Sequence, residues 1–451
     1  MSASPENTPK RVAVIGAGIS GLTAAFYLQK SGAEVKVFEK SERVGGCLKS
    51  IRKDGYLFEQ GALTAVVNYP ELKELFTDCG IENEVLYASE KSKYRFVFRN
   101  GLLHEVSPNP VKFLFSGLLS FSAKRRIFLE LFKKPYAPES KATLGAVAER
   151  HFGKEVVDYI LNPIITGIYA SDPYDLELSS SFPVIEKAIR NRGSIIKGMV
   201  AQAKENKSQN VDRRIFNFNG GQSQLIAALS EKLSIEIQVD VRGLCKTDSG
   251  WKININGVFH EFDEVVLAAP AYASARLVEP FLSSLAQHLL AIKYNAVTTV
   301  QVVAPKNKFS RLPEGFGFLV PQKERGELLG CIFNHVLFPS RFNEAITGFN
   351  LFIGGELPSG GMVKIDKALD EFKSITGYQG ELQVISHCHW ANGIPLIGVG
   401  HSEVLQAIDA AESANEGLHF IGNYRNGISV GDCIKNARHI ASEITKRRKV
   451  L

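Results

Sequence analysis

Residues 11–46 read RVAVIGAGISGLTAAFYLQKSGAEVKVFEKSERVGG, and the order of features within them decides the fold. Val12, Val14 and Ile15 mark a short buried strand, and Gly16-Ala17-Gly18-Ile19-Ser20-Gly21 opens a helix whose apolar residues Leu22, Ala25, Phe26 and Leu28 recur at helical spacing. Gly32 stops that helix. A second strand, Val35 to Phe38, ends in Glu39, eighteen residues beyond Gly21, where a carboxylate can accept hydrogen bonds from both hydroxyls of an adenosine ribose. The first glycine permits a tight turn, and the second lets backbone N–H groups approach a pyrophosphate. The third lets helix and strand pack closely, with the anion at the positive helix end. Alone, such glycines mark an ordinary turn. Strand, glycines, helix, second strand and terminal acid in this order make a dinucleotide-binding unit. Arg43-Val44-Gly45-Gly46 sets two further bare glycines just past the acid, free to approach the same ligand.

A chain of 451 residues exceeds one ordinary core and predicts two or three domains, at least one interrupted. With 45% hydrophobic and 22% charged residues the composition is that of a globular protein. The six cysteines contain no CxxC pair, which favours reduced thiols over a disulfide framework and predicts a cytosolic setting. MSASPENTPK lacks an apolar segment and is not read as a secretory signal. No run reaches the roughly 18 apolar residues of a spanning helix. A spread net charge of +6 does not suggest nucleic acid; it suits an anionic small substrate or an acidic membrane surface.

Further along, Asp54 to Gly61 reads as one strand running into a small-residue turn, Gly61-Ala62-Leu63-Thr64, where backbone could lie along a flat ring or simply form a β-turn. YRFVFRNGLLHEV (residues 94–106) predicts a hairpin about Asn100-Gly101. Arg95 at its start is either a solvated charge or a bidentate grip for a carboxylate. Pro108 and Pro110 precede KFLFSGLLSFSAKRRIFLELFKKP (residues 112–135), where aromatic and aliphatic residues alternate with six cations and the single acid Glu130. Two readings fit: a stretch lying in the interface of an anionic bilayer, or a pair of core helices with solvated lysines.

Residues 141–205 read as mostly helical, punctuated by Gly153, Pro163 and Pro183, and Glu205 to Arg214 as a polar linker. A helix after Gly220-Gly221, strands at Ile235 to Val241 and Trp251 to Ile255, and the buried strand Val265 to Ala268 return the chain to the nucleotide domain. Antiparallel strands over residues 294–355 follow, and Gly354-Gly355 and Gly360-Gly361 lack the context of a second dinucleotide motif. At the end, Leu418 to Ile421 reads as a strand before a glycine turn, and Gly427 to Ile434 leads into a last helix whose N-terminal amides suit an electron-rich edge of the bound ligand. Lys446 to Lys449 form a solvated basic tail. His387, His389 and His401 have neither a metal spacing nor a triad arrangement; no metal site and no general base is expected.

The extension through Gly46 resembles the flavin-containing amine oxidase superfamily, and TGIYASDP (Thr166 to Pro173) with GNYRNGISVGDCI (Gly422 to Ile434) resembles its oxygen-dependent, FAD-containing protoporphyrinogen oxidase family over nearly the whole chain. The resemblance implies an α/β fold: a discontinuous FAD-binding Rossmann-like domain (residues 1–85, 206–275 and 405–451), an α+β substrate domain (86–108 and 276–404) and a helical membrane-associated domain (109–205). It implies noncovalent FAD held by Gly16, Ala17, Gly18, Ile19, Ser20, Gly21 and Glu39, with Lys40, Arg43, Gly46 and Cys47 alongside. Gly61, Ala62, Leu63 and Thr64 would lie along the flavin, Val241 on the adenine side, and Trp390, Ile428, Ser429 and Val430 would complete the pocket. Arg95 would pair with a substrate propionate, Leu319, Ile332 and Phe352 would sandwich the macrocycle, and Gly167 would pass beside the reacting carbon.

The implied activity is oxidation of protoporphyrinogen IX, or of coproporphyrinogen III, to the porphyrin, with oxygen as acceptor and hydrogen peroxide as product. Implied partners are the porphyrinogen, molecular oxygen, a membrane surface at the inner face of the cell membrane and a second copy of the chain, with no nucleic acid. Amine-oxidising relatives carry a lysine where this chain has Val297-Thr298-Thr299-Val300, which argues against amine oxidation. A carotenoid desaturase would need a long apolar tunnel without an arginine. A Rab-escort-type binding module would share the glycine loop without redox work.

Overall fold

The computed structural model describes residues 9–107, 109–208, 212–354 and 363–446. Pro108, residues 209–211 of the expected linker, Gly355, Gly360, Gly361 and the basic tail past Lys446 lie outside the described residues.

Strand Arg11–Ile15 is apolar on both faces, and both faces are covered. Val12 and Val14 enter one core with residues of helices Ile19–Lys30 and Val430–Lys446; Ala13 and Ile15 enter a second core with helix Ala271–Val278 and the aromatic residues Phe38, Trp251 and Phe420. This two-sided burial is what a parallel sheet requires. The sheet runs Ser234–Glu236, Glu34–Phe38, Arg11–Ile15, Glu264–Leu267, Leu418–Phe420 in spatial order, every pairing parallel. Four distant stretches of chain therefore build one sheet. The first and last helices pack together in the same core, with the Arg438 guanidinium 5.1 Å from the centre of the Tyr27 ring.

The expected strand Ile235 to Val241 is two strands. Gln238 adopts a left-handed conformation (φ 57°), which ends Ser234–Glu236 in the parallel sheet and redirects the chain into Val241–Thr247 of a three-stranded antiparallel meander. The expected strand from Asp54 is also shorter. Asp54 and Gly55, both with positive φ, form the two-residue turn of a hairpin between Ser50–Lys53 and Tyr56–Glu59. Helix Ile195–Ser208 extends into the segment read as linker, and Val85–Tyr87, which straddles the expected domain boundary, pairs with Ile215–Phe218.

A seven-stranded sheet forms the other half: Gln383–Pro395, Tyr294–Pro305, Ile346–Gly354, Leu328–Phe333, Gly317–Leu319, Arg95–Arg99, Leu102–Val106. All pairings are antiparallel except Gly317–Leu319 with Arg95–Arg99. The hairpin turns at Asn100-Gly101, both left-handed. One face of this sheet buries Phe96, Phe318, Cys331, Leu351 and Val300 beneath Phe372 and Ile375 of helix Ile365–Thr376. The opposite face carries the buried Thr299, Gln301 and Asn350 and the partly buried Leu319, Ile332 and Phe352.

The stretch from Pro110 forms helices Pro110–Phe115 and Phe121–Glu130, followed by helices that include Leu144–Phe152, Asn162–Tyr169, Pro183–Arg192 and Ile195–Ser208. Its apolar residues divide. Leu118, Leu119 and Ala123 are buried, whereas Phe115, Phe121, Phe128, Leu129 and Phe132 are exposed. Among the described residues no helix is long and apolar enough to cross a membrane.

Candidate functional site

The glycine turn is built as its sequence requires. Gly16 has φ 107°, and its N–H donates to the Phe38 carbonyl at 2.8 Å. A Cβ on Gly21 would stand 1.9 Å from the Gly16 carbonyl oxygen, so helix and strand meet only over a bare glycine. Ile19 and Ser20 are buried in the first helical turn. Around Gly18 the requirement is different: a Cβ there would meet nothing within 4 Å, and one on Gly46 would approach only the Gly18 Cα. These two glycines face an open groove over a helix N-terminus, the shape and polarity a pyrophosphate needs. The Gly45 N–H donates to the Ala17 carbonyl (2.7 Å) and keeps the two glycine segments side by side.

Glu39 closes one end of the groove. Its carboxylate accepts from the Ala17 N–H (2.8 Å) and from the N–H and hydroxyl of Ser41 (2.8 and 2.6 Å), fixing it at the strand end. Lys40 pairs with Asp240 at 3.3 Å, and Val239 N–H donates to the Glu39 carbonyl, which brings Val241 to the same end. Arg43 donates to the Gly46 carbonyl and lies 6.0 Å from the Trp390 ring centre. Cys47, next to Gly46, is exposed.

Next comes the turn Gly61-Ala62-Leu63-Thr64. A Cβ on Gly61 would lie 1.9 Å from the Cys47 carbonyl and 3.3 Å from Trp390 Cζ2, so the turn is wedged between them. Two consecutive carbonyls leading into it are each doubly held. Glu59 O accepts from Asn350 Nδ2 (2.8 Å) and Gln301 Nε2 (3.3 Å); Gln60 O accepts from Thr299 Oγ1 (2.7 Å) and Trp390 Nε1 (2.8 Å). All four donors come from the seven-stranded sheet.

Across this crevice lies the start of the last helix. Ser429 Oγ donates to Asp432 (2.6 Å) and accepts from the Asp432 N–H (3.1 Å), a reciprocal cap. Among the described residues nothing accepts from the N–H groups of Val430 and Gly431, which stay available at the helix N-terminus. Ile428 packs against the helical core. Glycine loop, turn and helix end fit a bound dinucleotide extended from Glu39 toward the Thr299 face of the seven-stranded sheet.

On that face the pairing register places Arg95, Leu319, Ile332, Phe352, Thr299 and Trp390 together: Arg95 opposite Gly317, Gly317 opposite Ile332, Leu319 opposite Gly330, Gly330 opposite Phe352, Phe352 opposite Thr299, Val297 opposite Trp390. Ile332 and Phe352 pack with Leu63 of the turn. From the helical side, a Cβ on Gly167 would stand 2.7 Å from Leu319 Cδ2, so the Thr166-Gly167 segment lies on that leucine. Among the described residues Arg95 has neither an ion pair nor a hydrogen bond. Its side chain is exposed to solvent and lies 5.0 Å from the Phe316 ring centre. An unneutralised cation beside an apolar slot is suited to a carboxylate on an otherwise apolar ligand.

Sequence reasoning missed several groups. Glu59, fully buried, accepts from Ser50 Oγ (2.6 Å) and Asn217 Nδ2 (3.1 Å) and lies 3.7 Å from the buried Arg341. Glu130, expected as a lone acid among solvated lysines, is also fully buried. It accepts from His151 Nδ1 (2.9 Å), Ser194 Oγ (2.6 Å) and the Ile195 N–H (2.6 Å), tying three helical segments together. Nothing local in the sequence distinguishes these acids from solvated ones, because their partners are 20 or more residues away in most cases. The four donors to Glu59 O and Gln60 O were likewise invisible, apart from Trp390.

Comparison with known proteins agrees with this geometry. The model of the family "Flavin containing amine oxidoreductase" matches residues 19–445. Protoporphyrinogen oxidase 2 of Arabidopsis thaliana is 32% identical, covering 94% of this chain and 92% of its own. Coproporphyrinogen III oxidase of Bacillus subtilis (strain 168) is 26% identical over 96% of this chain and 97% of its own. A solved protein from Exiguobacterium sp. 255-15 that carries a provisional protoporphyrinogen oxidase name superposes with TM-score 0.80 at 20% identity, over 98% of this chain and 99% of its own, a likeness of fold. A glycine groove, an acid at the strand end, a free helix N-terminus and a full-length family match lead to one statement: the chain belongs to the flavin-containing amine oxidoreductase family, and its cofactor is FAD.

Proposed function

We propose that this flavoenzyme oxidises protoporphyrinogen IX to protoporphyrin IX, with oxygen as the acceptor and hydrogen peroxide as the product, in porphyrin biosynthesis. The observation that carries the proposal is the unpaired Arg95 on the same sheet face as Leu319, Ile332 and Phe352, beside the turn that contains Leu63. A porphyrinogen has the matching chemistry: a broad apolar macrocycle with carboxylates at one edge.

FAD supplies a two-electron acceptor that oxygen can reoxidise, and three such oxidations convert a porphyrinogen to a porphyrin with three hydrogen peroxides formed. The chain supplies orientation and a dry slot. Arg95 holds a propionate, Leu319 and Phe352 cover the ring faces with Ile332, and bare Gly167 allows close approach from the helical side. Gly16 to Gly21, Glu39, Lys40, Arg43, Gly46, Cys47 and Val241 hold the nucleotide half of the cofactor. Gly61 to Thr64, Trp390 and Ile428 to Val430 border its ring.

The coproporphyrinogen III oxidase relative supports a second reading, in which the substrate carries four carboxylates instead of two. Oxygen consumption by purified protein, measured with each porphyrinogen, separates the two. Consumption with neither overturns both.

We further propose that Phe115, Phe121, Phe128, Leu129 and Phe132, exposed among Lys124, Arg125, Arg126, Lys133 and Lys134, rest on an anionic membrane surface at the cytoplasmic face. Co-sedimentation with anionic but not zwitterionic vesicles is the expected result, and Phe121→Ser with Phe128→Ser should abolish it. The homodimer follows from the family resemblance, and sedimentation velocity tests it.

A further inference from the structure

The two carbonyls preceding the flavin-lining turn are saturated with side-chain donors. Gln60 O has two lone pairs. One takes the Thr299 hydroxyl at 2.7 Å and the other the Trp390 indole N–H at 2.8 Å, and the immediately preceding carbonyl is held by Asn350 and Gln301. Those four residues lie on three adjacent strands of the substrate sheet, and two of them are oriented in turn: Ser386 Oγ donates to Gln301 Oε1 (2.6 Å) and Asn334 Nδ2 to Asn350 Oδ1 (2.7 Å). Thr299 is 2% exposed, and Asn350 and Gln301 are 0% exposed. Backbone carbonyls in a short strand end need one partner, so four side-chain donors on two successive carbonyls exceed what satisfying them requires.

Phe352 links this arrangement to the substrate face. Its backbone pairs with Thr299, and its side chain packs against the cluster of Leu63, Leu337 and Phe338, as does that of Ile332. The turn and the apolar slot are thus coupled through one residue pair.

We propose that Thr299 is a positioning residue: its hydroxyl, with the Trp390 indole, clamps the Gln60 carbonyl and so sets the height of Gly61–Thr64, and of the flavin ring along it, above the substrate sheet. This inference rests on the reading that Gly61–Thr64 lie along the flavin. A near-attack geometry loses rate steeply with displacement, so release of the clamp acts on the chemical step more than on substrate affinity.

The test compares holoenzyme carrying Thr299→Val, which keeps the shape and removes the donor, with Thr299→Ser, which keeps the donor. In Thr299→Val the visible absorption and circular dichroism bands of the bound flavin shift, and kcat falls by roughly ten- to a hundred-fold while KM with protoporphyrinogen stays within about two-fold. Thr299→Ser restores both. Hydrogen exchange of the peptide containing Gln60–Thr64 is faster in Thr299→Val than in Thr299→Ser. Trp390→Phe, which removes the second donor, reproduces the spectral shift and serves should Thr299→Val fail to fold. Parental spectra and kcat in Thr299→Val, or equal loss in Thr299→Ser, overturn the clamp while leaving FAD binding by the parent intact. A parent that takes up no FAD overturns the underlying reading, and the clamp with it.

Discussion

Replacing Arg95 by alanine removes the cation on which the substrate assignment depends, and the size of the effect follows from its surroundings. A guanidinium and a carboxylate about 4 Å apart attract by about 4 kcal/mol at the effective dielectric of a protein surface. Displacing water from both ions and ordering the side chain consume much of that, leaving a net of about 1.5–3 kcal/mol for a hydrogen bond between charged groups. Arg95 starts with part of the cost already met: it has no competing anion among the described residues and it is stacked on Phe316. Arg95→Ala should therefore weaken substrate binding by roughly ten- to a hundred-and-fifty-fold, seen as a raised KM with kcat nearly unchanged. The decisive assay is a cycle of two enzymes and two substrates, the free diacid porphyrinogen and its dimethyl ester. The parent should prefer the diacid by that factor, and Arg95→Ala should treat both alike. A penalty equal for diacid and ester would refute a carboxylate contact, even if the variant is impaired.

Glu39→Ala removes the acid at the strand end and frees the N–H groups of Ala17 and Ser41; FAD affinity should fall at least ten-fold, measured by titrating apoprotein with FAD. Gly21→Ala cannot be accommodated 1.9 Å from the Gly16 carbonyl, and purified protein should lack flavin and melt at lower temperature. Glu130→Ala leaves Ser194, His151 and the Ile195 N–H without their acceptor and should cost roughly 3–5 kcal/mol in urea unfolding at neutral pH. Although burial alone pushes Glu130 up, hydrogen bonds from His151, Ser194 and Ile195 hold it below the usual carboxylate range. Its stabilisation is therefore complete above its unfolded value of about 4.3 and is lost as pH falls through the folded one, so parent and Glu130→Ala should converge in stability in acid.

What was legible in the sequence is what is local. Gly16 to Gly21, Glu39 and the Asn100-Gly101 hairpin state their geometry within a few residues, because positive φ, close approach and a strand-end acid are short-range requirements. Boundaries failed where a single residue changes direction: apolar alternation continues across Gln238, and only its left-handed backbone divides the strand. The slot is of another kind. Arg95, Leu319, Ile332 and Phe352 come together through strand pairings such as Arg95 with Gly317, which join distant parts of the chain that spacing cannot reveal, and it was resemblance to a family that suggested them. Glu59 and Glu130 escaped notice for the same reason, since burial of an acid depends on partners that folding brings.

The proposed cofactor bed draws on stretches far apart in the sequence. Glu39 and the glycine groove lie within residues 16–46, whereas the flanking strand Leu418–Phe420 and the amides of Val430 and Gly431 lie within residues 418–431. A chain stopped before Val430 would, on this reading, offer the adenosine half a seat but not the ring. Chains truncated before helix Val430–Lys446 should remain colourless, which makes yellow colour a direct report that this helix is in place.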